Sequence, residues 1–150
     1  MTTRTQDDHP LGYGVVRLER ALVAALDQGL RRHGLTTSRY GVLTFMDMEP
    51  GLTSAELARR AFVTPQTMMR LVKGLEADGL ISRDEDENPG RAVALRLTQK
   101  GKKRLAAAHT WVIQVEQALI DGESERSLTQ TSRFLARATS RMQAISLTRD

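Results

Sequence analysis

Two helix-start signals stand eleven residues apart, and together they restrict what the middle of this chain can fold into. In the stretch LTSAELARRAFVTPQTMMRLVKGLEADGL, residues 52–80, Thr53 is a favourable N-cap and Glu56 follows at capping-box spacing. Leu52 before the cap can pack on Leu57 as a hydrophobic staple. Thr64 repeats the signal, with Pro65 at the first helical position, where a missing N–H costs nothing. Val63 and Met68 can form a second staple. Ala61, Phe62 and Val63 are the whole link, so the two helices must cross steeply, as in a helix-turn-helix.

The second helix of the pair is two-faced. Met68, Leu71, Val72 and Leu75 follow the i, i+3, i+4, i+7 rule of a buried stripe. At about 3.6 residues per turn, Gln66, Arg70 and Lys73 fall on the opposite side. Gln can read adenine, Arg can read guanine, and Lys can hold a phosphate. An ordinary solvated helix face fits the same three residues. The short helix in front and the hairpin behind are what favour a nucleic-acid reading.

That hairpin follows Gly79. Leu80 to Arg83 predicts a short strand, and Val93 to Leu97 its antiparallel partner, with Val93, Leu95 and Leu97 on one face. A two-stranded ribbon directly after a helix-turn-helix is a wing. Its loop holds Asn88-Pro89-Gly90 and then Arg91, whose guanidinium suits the negative potential of a narrow minor groove. The run Asp84-Glu85-Asp86-Glu87 repels phosphate, so the tip and the later strand are the parts that could approach DNA.

The flanks read as helices. Asp8 is the expected cap of a first one, with Pro10 in its first turn. Leu11, Val15, Leu18, Leu22, Ala25 and Gly29, widened by Leu26 and Leu30, form a long aliphatic seam ending near His33 and Gly34. One end of so long a seam is expected to meet a second subunit. Thr36 caps the next helix, which buries Tyr40, Val42, Leu43, Phe45 and Met46. After the wing, Thr98 caps a helix whose start is crowded by Lys100, Lys102, Lys103 and Arg104. Cations there oppose the helix dipole and one another, so either phosphates lie nearby or water screens them. Leu105, Ala108, Val112, Val115 and Leu119 carry the seam onward to a break at Asp121 to Ser124. A last helix follows, with Leu128, Phe134, Leu135, Ala138, Met142 and Ile145 expected inward.

Net charge is +4 and the isoelectric point about 10.0, a balance that favours an acidic partner. Aromatics are only 4% of residues, too few for a protein that grips single strands by stacking, which points to duplex DNA over RNA. No cysteine occurs, so disulfides, thiolate metal sites and thiol switches are excluded. Polar residues 1–10 offer no signal peptide and no apolar run approaches a membrane span, so a cytoplasmic chain is expected, with no membrane partner and no cofactor. His9, His33 and His109 show no metal spacing, and neither a nucleophile triad nor a phosphate loop appears, so an enzyme is not expected.

The segments GLTSAELARRAFVTPQTMMRLVKGLEADGLISR and GRAVALRLTQKG, in this order of elements, resemble the MarR family of bacterial winged-helix regulators, and the likeness covers roughly residues 9–147. It implies a mainly α fold, a winged helix-turn-helix of about residues 36–98 with dimerisation helices of about 9–33 and 99–147 in a single domain. It implies a homodimer whose helix 65–78 enters the major groove of a pseudo-palindromic operator, and small anions, often phenolic, that loosen DNA. Many members carry an Asp and two Arg in the wing; here Pro89 and Gly90 replace the first two and Arg91 matches the third. The expectation is therefore a double-stranded DNA-binding transcriptional repressor acting at the nucleoid. Thr64, Gln66, Thr67 and Arg70 are its base-edge candidates, and Thr53, Ser54, Lys73 and Arg91 its phosphate or groove candidates. Tyr13, Arg17, Arg20, Tyr40 and Trp111 are the candidates to line an effector pocket. The competing expectation is a winged-helix module that binds protein, separable by the steep salt dependence of duplex binding.

Overall fold

The computed structural model describes residues 10–84 and 93–147. The order is α1 (Leu11–Leu30), a 3₁₀ turn (Arg31–His33), α2 (Thr37–Met48), α3 (Ser54–Arg60), α4 (Pro65–Ala77), β1 (Ile81–Arg83), β2 (Leu95–Leu97), α5 (Gln99–Ile120) and α6 (Glu125–Leu147). The fold is mainly helical, with one antiparallel two-stranded ribbon whose register pairs Ile81 with Leu97 and Arg83 with Leu95.

Local chemistry sets most of the boundaries. α1 begins at Leu11 with Pro10 as its N-cap and no side-chain cap, so Pro10 stands before the first turn and not in it; Asp8 lies outside the described residues. The helix tightens into the 3₁₀ turn and stops at Gly34, whose φ of 65° is left-handed. Thr36 caps α2 by accepting the Arg39 N–H. The α1–α2 corner is pinned by Asp27, which accepts both the backbone N–H and the hydroxyl of Thr37 at 2.7 Å. Thr98 caps α5 by accepting the Gly101 N–H, and its own hydroxyl donates to the Gly79 carbonyl. The strands are shorter than their apolar runs suggest, because Leu80 precedes the ladder and Ala94 instead forms an isolated bridge to Thr53.

The chain divides into two compact units near Val115. In the first, the core gathers Leu30, Leu35, Val42, Leu43, Met46, Leu57, Met68, Val72, Leu75, Leu80 and Leu95, each at most 3% exposed. Full burial of such side chains is worth about 1.5–3 kcal/mol apiece, which is why the two stripes of α3 and α4 fix their mutual placement. Leu26, Tyr40, Phe45, Val63, Leu71, Leu97 and Val112 are half-buried around this core. The N-terminal half of α1 stands apart from it: Leu11, Tyr13, Val15, Val16 and Leu18 are 43–65% exposed.

In the second unit, Glu116 onward, α5 ends at a turn in which Gly122 takes a φ of 78°, and Ser124 accepts the Ser127 N–H to start α6. Here the inward expectation is corrected. Leu128, Phe134 and Ala138 are half-buried, but Leu119, Leu135, Met142 and Ile145 are 41–58% exposed in the single chain. Periodicity specifies an apolar stripe; it does not specify that the same chain covers it.

Candidate nucleic-acid interface

The capping box of α3 is complete. Thr53 Oγ1 accepts the Glu56 N–H at 3.3 Å while the Glu56 carboxylate accepts the Thr53 N–H at 2.7 Å and its hydroxyl at 2.8 Å. Those two donors, with Arg59 and Arg60 nearby, hold the Glu56 carboxyl below the usual glutamate range. The Thr53 hydroxyl is thereby committed to the cap, and Ser54 beside it is half-buried at the helix start.

α3 and α4 are joined through Phe62, which has a left-handed φ of 53° and is 66% exposed. A non-glycine residue there costs about 1–2 kcal/mol, and the brevity of the link imposes it: Val63 N–H must return to the Ala58 carbonyl at 3.1 Å. Thr64 then caps α4, accepting the Thr67 N–H at 3.1 Å, and the two threonine hydroxyls lie 2.9 Å apart. Met68, Val72 and Leu75 are buried and Leu71 half-buried. Gln66, Thr67, Arg70 and Lys73 are exposed, so the structure brings Thr64, Gln66, Thr67, Arg70 and Lys73 onto the outer side of one helix. No carboxylate occurs on α4 before Glu76, near its far end. Met69, 51% exposed, belongs to the same surface; its angular position beside Gln66 was readable from helical phase. Arg91 lies outside the described residues, as does the rest of the wing tip.

Side chains from three other elements seize the opposite end of α4. Arg39 of α2 donates to the Gly74 carbonyl at 3.2 Å and to the Gly34 carbonyl at 3.2 Å, and forms an ion pair with Asp78. Lys100 Nζ of α5 donates to the Asp78 carbonyl at 2.7 Å. Arg83 of β1 makes a two-pronged pair with Glu76, at 2.6 and 3.1 Å, which raises the arginine further above its ordinary range. Arg39 in turn pulls the Asp78 carboxyl below the usual aspartate range. Across the ribbon, Arg96 pairs with Asp84 at 2.5 Å. Arg39, Arg83 and Arg96 carry no sequence signal of their own, because their partners are set by tertiary approach.

The structure also accounts for two of the crowded cations at the start of α5. Lys100 caps α4, and Arg104 Nη1 donates to the His33 carbonyl at 2.6 Å, capping the 3₁₀ turn. Neither phosphate nor water is needed to explain where those two side chains lie, since cations belong at the C-terminal ends of other helices.

The five effector candidates come from three helices, α1, α2 and α5. Tyr13, Arg17 and Arg20 are exposed on the N-terminal half of α1. Tyr40 hydrogen-bonds His109 Nδ1 at 2.8 Å. Trp111 donates its indole N–H to the carbonyls of Ala25 and Leu26 at 3.1 and 3.2 Å, with its ring over Gly29, where a side chain would overlap it. Among the described residues no helix is long and apolar enough to cross a membrane, and no cluster of His, Cys, Asp or Glu could hold a metal ion.

A capped two-helix unit followed by a two-stranded ribbon defines the winged helix-turn-helix class. A family model described as MarR family matches residues 33–92. The HTH-type transcriptional repressor Rv2887 of Mycobacterium tuberculosis is 38% identical over 96 residues, covering 64% of this chain and 69% of that protein. The chain belongs to the MarR family of winged helix-turn-helix transcriptional regulators. The crystal structure of Rv2887 with salicylic acid superposes with a TM-score of 0.68 at 30% identity, covering 89% of this chain and 99% of that one. The structure of Rv2887 with DNA gives 0.69 at 29% identity, covering 87% and 98%.

Proposed function

We propose that this protein is a homodimeric, sequence-specific regulator of transcription that binds duplex DNA and represses, and that a small anionic or aromatic ligand releases it. The observation that carries the reading is α4 itself: an acid-free outer face of Gln66, Arg70 and Lys73 on a helix capped at Thr64 and fastened at its far end by Arg39 and Lys100. Thr64, Gln66, Thr67 and Arg70 would meet base edges in the major groove, and Thr53, Ser54, Lys73 and Arg91 the backbone or minor groove. Residues of about 36–98 form the DNA-binding lobe, and the helices of about 9–33 and 99–147 the dimer. The exposed apolar side chains on α1, α5 and α6 support that pairing, since surfaces of this kind are where partner chains sit. Two such lobes about 34 Å apart would read half-sites of a pseudo-palindrome one helical turn apart. Tyr13, Arg17, Arg20, Tyr40 and Trp111 are the proposed effector surroundings. The Rv2887 complexes with DNA and with salicylic acid support both halves of the reading. The protein would act in the cytoplasm, on nucleoid DNA.

Fluorescence anisotropy on duplexes from the gene's own upstream region tests this. Binding should weaken steeply with salt, and Arg70→Ala should cost about 1–3 kcal/mol and relax specificity at one base pair. A protein that ignores every such duplex in dilute buffer, or an Arg70→Ala variant with unchanged affinity and specificity, overturns the reading or that residue's part in it.

A further inference from the structure

We propose that the cleft between the 3₁₀ turn and the first half of α5 is a binding site for clustered phosphate groups, separate from the reading face of α4. The cleft has a volume of about 730 Å³ and is walled by Arg32, His33, Gln99, Lys100, Lys103 and Arg104 among others. Four of its lining residues carry full positive charge and none carries a carboxylate. Ala107 and Gly34 are its sole non-polar members.

Three features make this more than a basic surface. Two of the cations are already oriented: Arg104 is held on the His33 carbonyl at 2.6 Å and Lys100 on the Asp78 carbonyl at 2.7 Å. Carbonyls fix direction without cancelling charge, although Lys100 and Arg104 also help to hold the Asp78 carboxyl below its usual range. Arg32 and Lys103 have no carboxylate partner among the described ion pairs. Asp78, whose carbonyl holds Lys100, has its carboxylate engaged by Arg39. Lys103, which unlike Lys100 and Arg104 caps no helix end among the described contacts, sits in the first turns of α5 where the helix dipole opposes it, and an anion there removes that penalty.

The lining decides the ligand class. No aromatic or large aliphatic side chain lines the cleft to stack on a ring, though the methylene stems of its Lys and Arg residues give it apolar surface as well as charge. A compact, multiply charged phosphate needs no such side chain, and Arg guanidiniums fork onto phosphate oxygens in two-pronged pairs. The phosphates could belong to a free small molecule or to duplex backbone flanking the operator, and one set of variants separates these sources.

The probe is pyrophosphate, added to the full-length protein and read as melting temperature against sodium chloride at matched ionic strength. A saturable rise of several degrees is expected with pyrophosphate alone. It should vanish in the Arg32→Gln/Lys103→Gln double variant and persist in Lys102→Gln, whose exposed side chain is on the same helix but outside the cleft. The second arm measures duplex affinity against salt for the same variants. If backbone phosphates are the occupants, the double variant lowers the log–log slope by about 2, at about 0.9 per phosphate. A slope that stays unchanged while the pyrophosphate shift is lost assigns the cleft to a free phosphate. The proposal is overturned if pyrophosphate does no more than sodium chloride and the slope is the same in all proteins. The first arm uses no DNA, so failure of the operator reading leaves it intact.

Discussion

Gly101→Ala is the substitution whose sign helix propensity alone would get wrong. Gly101 is buried in the first turn of α5, and an alanine inside a helix is ordinarily better than glycine by about 1 kcal/mol. A Cβ at this position, however, would come within 3.0 Å of the Leu80 carbonyl carbon, with the carbonyl oxygen nearer still. Leu80 cannot simply retreat. It is fully buried, its N–H donates to the Leu75 carbonyl at 2.9 Å, and its carbonyl accepts the Thr98 N–H at 3.1 Å. Overpacking of this kind costs about 1–3 kcal/mol and occasionally more. Loss of a hydrogen bond that leaves a buried carbonyl unpaired adds about 1–3 kcal/mol. Set against the propensity gain, the net loss should be about 2–4 kcal/mol, a fall in melting temperature of about 5–15 °C for a chain of this size. The matched control is Gly41→Ala in α2, where a Cβ would meet nothing within 4 Å. That variant should gain up to about 1 kcal/mol. Urea melts at one fixed protein concentration, needed because a dimer's stability depends on it, measure both. If the two alanines shift stability in the same direction by similar amounts, the close approach of α5 to the Leu80 backbone is wrong.

Arg39→Ala removes donors from two carbonyls and the partner of Asp78, and should destabilise by about 1–3 kcal/mol in urea melts; Arg39→Lys should not restore that stability, because a single ammonium cannot span the same fork. The Glu56 carboxyl is held below its ordinary range by the Thr53 donors, so the folded chain binds its proton less readily than the unfolded chain. Its stabilising contribution is therefore present above the unfolded value of about 4.3 and lost as pH falls through the lower folded value; melts from pH 7 down to 3 should show Glu56→Gln flattening that decline. Gly29→Ala would push a methyl to within 2.5 Å of Trp111 Cδ1 and should cost about 1–3 kcal/mol, with a red shift in the fluorescence of the chain's one tryptophan as the ring is displaced.

What the sequence made legible was whatever is settled within one turn of helix. Thr36, Thr53, Thr64 and Thr98 all cap where their spacing placed them, since each partner lies three residues away. The buried stripe of α4 and the exposed set of Gln66, Arg70 and Lys73 followed from phase alone. Contacts made at long separation were invisible. Arg39 reaches Gly74 across 35 residues, Arg104 reaches His33 across 71, and Trp111 reaches Ala25 across 86. Nothing in a side chain's neighbours along the chain announces such a partner. The same limit explains α6: its period marked Leu135, Met142 and Ile145 as a stripe, and only coordinates could say that the chain leaves them outside.

The asymmetry of α4 is itself informative about how such a helix could be controlled. Its N-terminal turns present side chains to solvent on the outer side and are held by the local Thr64 cap and by the buried Met68 and Val72 beneath. Its C-terminal end is held by α2 through Arg39, by β1 through Arg83 and by α5 through Lys100, while Thr98 fastens the next residue's carbonyl at Gly79. Reading a base edge demands side chains placed to within about half an ångström, so the polar fastening of the far end adds stiffness to what core packing and the Thr64 cap supply. The stiffness has a consequence. Lys100 and Thr98 belong to the start of α5, so any displacement of that start relative to α2 must either break bonds to Asp78 and Gly79 or carry α4 with it. The first outcome breaks the Lys100 bond to Asp78 and the Thr98 bond to Gly79, the second the Arg39 bonds from α2 to Gly74 and Asp78, so whichever set yields decides whether a shift at the head of α5 reorients the face that carries Gln66 and Arg70.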